Sequence, residues 1–98
     1  MVQLIVHFRS EYEVTHTENA FHSPSTEVID QLNNILLAFP DAGIEPLYGG
    51  NMSDLPANMR YYYSVSLAQA DRARALANLL QQQAFVDAAY VKPPDELP

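Results

Sequence analysis

The chain has 98 residues, 48% of them apolar and 17% charged, the balance of a single globular domain. A formal charge of −7 leaves too few cations to neutralise a row of phosphates and disfavours anionic membrane surfaces, so neither nucleic acid nor membrane is expected as a partner. Cysteine is absent, which excludes disulfides, thiolate catalysis and cysteine-based zinc sites.

The opening apolar run ends at Phe8, too short for a signal peptide or a transmembrane helix. A complete product would therefore be expected in the cytoplasm; for a piece of a precursor the compartment is unknown. Within that run Val2, Leu4, Val6 and Phe8 alternate with Gln3, His7 and Arg9, the period of a half-buried strand. Ile5 alone departs from it. Residues 10–22 show no period and are expected as a long polar connection, with Phe21 as an apolar plug.

Ser23 and Pro24 predict a helix start, serine as N-cap and proline at the first helical position. Val28, Leu32, Ile35, Leu36 and Phe39 form one apolar stripe, which Pro40 ends. Asp41-Ala42-Gly43 turns into a short strand over 44–48 that Pro46 marks as an edge. After Gly49-Gly50 the next strand, 60–67, places Tyr61, Tyr63, Val65 and Leu67 on one face and Tyr62, Ser64 and Ser66 on the other. Ala70, Ala73, Leu76, Ala77, Leu80 and Ala84 stripe a second helix, and residues 85–91 close as a fourth strand.

This order predicts an α+β fold, the ferredoxin-like βαββαβ sandwich. Its four-stranded antiparallel sheet would run 4-1-3-2, with both helices on one face. The domain is expected over residues 1–91, followed by an extended tail over 92–98. Pro93 and Pro94 stiffen that tail, and Asp95 and Glu96 keep it solvated.

Chemistry is hard to place on this chain. His7, His16 and His22 lack the short fixed spacings of a metal site and are expected as solvated residues, with no metal or cofactor bound. Ser64 and Ser66 lack a nucleophile elbow, and Gly49-Gly50 is neither a phosphate loop nor a dinucleotide fingerprint. No catalytic residue is assigned, and the chain is not expected to be an enzyme. Tyr61-Tyr62-Tyr63 could stack bases, but the acidic charge argues against it. Tyr62, Ser64 and Tyr90 fit a flat polar–aromatic face for protein contact.

The passage LANLLQQQAFVDAAYV, above all Ala89-Tyr90-Val91, resembles the end of the propeptide domain of subtilisin-like serine proteases, the inhibitor I9 type. The resemblance spans the chain in element order and is specific only over 85–91. It implies an inhibitor and intramolecular chaperone, as a monomer or bound to its protease. The open sheet face (Tyr62, Ser64, Tyr90) would dock on the enzyme, and the tail Lys92, Pro93, Pro94, Asp95, Glu96, Leu97, Pro98 would lie in the substrate cleft. Lys92-Pro93-Pro94 departs from the acidic residues that often follow this strand in the family, and the loops 10–22 and 49–59 are long for it. Two other readings share the fold. One is a regulatory small-molecule domain of the ACT type, with Asp41-Ala42-Gly43 as the ligand loop; the other is a dimerisation module that buries its open face on a copy of itself.

Overall fold

The computed structural model describes residues 2–17, 20–47, 55–56 and 60–92. Strand β1 (Val2–Phe8) leads through a single 3-10 turn at Ser10–Tyr12 into a hairpin, β2 (Thr15–Thr17) and β3 (Ala20–His22). Helix α1 (Thr26–Leu37), strands β4 (Gly43–Pro46) and β5 (Tyr62–Leu67), helix α2 (Ala70–Gln81) and strand β6 (Val86–Val91) follow. The main sheet is ordered β4-β5-β1-β6, and every neighbouring pair is antiparallel. The fold is thus α+β, with a four-stranded antiparallel sheet and two helices.

Alternation decides which face of the sheet becomes core. Leu4, Val6 and Phe8 of β1, Tyr63, Val65 and Leu67 of β5, and Val86 and Ala89 of β6 are all buried in one cluster. Both helices feed the same cluster, α1 with Val28 and Leu32 and α2 with Ala73, Leu76, Ala77 and Leu80. Alanine at 73 and 77, one helical turn apart, lets α2 lie close over β6 and β1, its main neighbours. Helix α1 packs instead on β3 and α2.

Residues 10–22 are not simply a polar connection. Glu13, in the left-handed region at φ 48°, ends the 3-10 turn and donates its N–H to the Ser10 carbonyl. The chain then forms the β2–β3 hairpin, which drives Val14 and Phe21 into the core. Phe21 meets Phe8 edge-on at 5.3 Å between centroids and Tyr63 at 5.5 Å. The plug role expected of Phe21 holds.

The first helix also begins later than the Ser23-Pro24 signal indicates. Ser25 is the N-cap, its hydroxyl accepting from the Val28 N–H at 3.4 Å. Ser23 sits upstream, accepting from the Ser25 N–H and donating to the Tyr12 carbonyl at 2.6 Å. It joins the 3-10 turn to the helix entrance. Strand β4 is shorter than the span 44–48, and Ala70 and Ala84 are exposed rather than part of the α2 stripe.

Candidate functional site

The residues that alternate out of the core form a second face of the main sheet. Register places Gln3, Ile5 and His7 of β1 beside Ser66, Ser64 and Tyr62 of β5 on one flank. On the other flank Ile5 lies opposite Tyr90 and His7 opposite Ala88, while Glu45 extends the face across Ser64. Among the described residues the core cluster gathers both helices on the opposite side of the sheet, so this face carries no helix. The three face residues read from sequence, Tyr62, Ser64 and Tyr90, therefore do share one surface.

Two features were missed from sequence. Ile5 is only 4% exposed yet lies outside the core cluster, so the second face has a buried apolar residue at its centre, between Ser64 and Tyr90 in register. Tyr90, beside it, is 50% exposed and offers its ring to solvent. An exposed tyrosine on one flank of a buried aliphatic residue, with Ser64 on the other, combines a large rigid contact area with hydrogen-bonding groups.

His7 is the second omission. Its imidazole lies parallel to the Tyr62 ring, centroids 4.0 Å apart and planes 4° from parallel. Its Nδ1 is 3.2 Å from the Asp87 carboxylate. A register shift between His7 and Phe8 inserts Asp87 as an extra residue in β6 and turns its carboxylate toward His7. The face therefore carries a fixed Asp87–His7–Tyr62 row at one end, not a solvated histidine.

Of the tail, Lys92 is described: its N–H donates to the Gln3 carbonyl at 2.8 Å, so pairing with β1 runs one residue past Val91. Pro93, Pro94, Asp95, Glu96, Leu97 and Pro98 lie outside the described residues.

His16 and His22 fare differently. His22 is exposed, whereas His16 sits in β2 against Phe21 and Tyr63, with ring centroids 5.1 and 6.3 Å away. Burial, helped by neighbouring His22, holds the His16 pKa below its ordinary value, and its Nε2 is buried without a hydrogen-bond partner. This is a packed neutral imidazole, which corrects the expectation of a solvated one. Among the described residues no group of three or more His, Asp or Glu could hold a metal ion, and no helix is long and apolar enough to cross a membrane. His16 also lines a cleft of about 420 Å³ with Leu36, Phe39, Pro40, Ala42, Gly43 and Ile44.

No protein-family model, curated protein or solved structure matches the chain.

Proposed function

We propose that this is a protein-docking domain of the ferredoxin-like type, acting as a propeptide-like inhibitor and folding assistant of a subtilisin-type serine protease. The observation that carries the reading is the second sheet face, where exposed Tyr90 borders buried Ile5 and Tyr62 stacks on His7. An exposed aromatic ring beside an apolar centre and hydroxyl groups suits the surface of a folded protein partner. Strand β6 borders this face and leads through Lys92 into the proline-braced segment. In this reading the segment after Lys92 adds as a strand in the partner's cleft, its prolines limiting the entropy lost on ordering.

The test is to titrate a subtilisin-type protease with the intact chain, a version ending at Lys92, and Tyr90→Asp. Inhibition by the intact chain, weakened both by truncation and by the aspartate, is expected. Equal potency for all three, or no inhibition by any, would remove the reading.

The cleft beside Ala42 and Gly43 favours a second reading, a regulatory domain of the ACT type. Its volume of about 420 Å³ lies within the usual range of small-ligand pockets. Calorimetric titration with free amino acids tests it, and a heat signal abolished by Gly43→Phe would support it.

A further inference from the structure

The main sheet has two edges, and they differ in what they offer. On β4, the Leu47 N–H donates to the Tyr62 carbonyl, so hydrogen-bonded pairing recurs at Glu45 and Gly43 while Ile44 and Pro46 point outward. Pro46 has no N–H, and strand addition there lacks a donor. On β6, the Lys92 N–H donates to the Gln3 carbonyl, so Tyr90 faces β1 with its main-chain groups while Ala89 and Val91 direct theirs away from it. The Gln81 side chain from the end of α2 donates to the Ala89 carbonyl on that outer side. A carbonyl accepts twice, and among the described residues no bond is made to the Ala89 N–H or to the outward groups of Val91.

We propose that the β6 edge pairs antiparallel with β6 of a second copy, across a two-fold axis at Ala89, to give a continuous eight-stranded sheet. The β6 sequence is complementary to its own reverse in this register. Ala89 meets Ala89, both small, and the exposed Tyr90 of each copy lies over the small Ala88 of the other. Lys92, exposed and on the second face by alternation, comes beside the second copy's Asp87, which the bulge has turned to that face. The axis repeats this contact, so two cation–carboxylate pairs form. Edge pairing leaves the second face free, so it stands independently of the protease reading.

Sedimentation equilibrium over a wide concentration range reads the outcome. The intact chain is expected to approach about 22 kDa, twice its 11.0 kDa mass. Lys92→Glu is expected to weaken association about tenfold by turning two attractive pairs repulsive. The swap Lys92→Glu with Asp87→Lys restores it. Val91→Pro, which removes an outward donor in the way Pro46 does on β4, weakens it too, with circular dichroism reporting that the domain stays folded. A mass of 11.0 kDa at every concentration overturns the proposal. So does a dimer that neither Lys92→Glu nor Val91→Pro disturbs, because its interface then lies elsewhere.

Discussion

Tyr63→Phe tests how the hairpin is held to the sheet. The Tyr63 hydroxyl donates to the Val14 carbonyl at 3.2 Å, and the nearby His16 backbone N–H favours its ionised form. Its ring packs between Phe8 and Phe21, and phenylalanine keeps that packing. The substitution therefore removes hydrogen bonds alone. Val14 is fully buried, so its carbonyl loses a partner that water cannot readily replace. The expected loss is about 1–2 kcal/mol at neutral pH, or a melting temperature lower by about 5–10 °C for a domain of this size.

A second readout separates this from a general packing defect. Burial first, opposed by the His16 N–H and slightly reinforced by Tyr61, raises the Tyr63 pKa from 10.0 to about 12. The folded state thus binds the phenolic proton more tightly than the unfolded chain does. That contribution is fully present below pH 10 and is lost as pH rises from 10 toward about 12. It amounts to roughly 2 kcal/mol, and phenylalanine has no proton to lose. Chemical denaturation of both proteins from neutral to alkaline pH should show the wild-type advantage shrinking across that window. Equal stabilities at neutral pH, or a gap that does not change with pH, would refute the tether.

Three further substitutions probe the frame around the site. Ser25→Ala removes the cap on the Val28 N–H and is expected to lower stability by about 1 kcal/mol in urea titration. His16 has a lowered pKa, so its contribution is present above its ordinary value of 6.5 and fades as pH falls through its folded value. NMR titration should place its midpoint below 6.5, and His16→Phe should flatten the acid limb of the stability curve. Arg72 donates to the Ala38 carbonyl at 3.1 Å and to Asp41 at 2.5 Å, with its guanidinium 5.1 Å from the Phe39 centroid. Arg72→Lys cannot make all three contacts, and a double-mutant cycle with Asp41→Asn should give a coupling below about 1 kcal/mol for this half-exposed pair.

The elements that could be read from sequence are those with a sustained period. Seven residues of β1 and twelve of each helix carry enough apolar positions to declare their faces. The hairpin could not declare itself, because each of its strands is three residues long. Val14 and Phe21, its apolar contributions to the core, are seven positions apart, with five polar residues and Ala20 between them. The helix start was misplaced at Ser23 for a different reason. Ser23 and Ser25 both suit a cap, and the choice depends on the Tyr12 carbonyl, a partner eleven residues away that engages Ser23. At the site, Tyr62, Ser64 and Tyr90 followed from alternation alone. The Asp87–His7 contact did not, since it depends on a bulge that shifts the register of β6 by one residue.

Ile5 shows how a break in pattern carries information. In a strand whose second face met only water, position 5 would be polar like Gln3 and His7, and an isoleucine there would gain nothing from burial. Here it is 4% exposed without belonging to the core, so the second face has an apolar centre of its own. Beside that centre the ring of Tyr90 stays half exposed, and the Tyr62 ring stacks on that of His7. Ile5→Thr keeps the β-branched shape and the strand, and should change stability only modestly while making the face polar at its middle. If the second face binds a protein partner, this single change should weaken docking more than it weakens folding. A loss of affinity no greater than the loss of stability would mean that Ile5 serves the sheet alone.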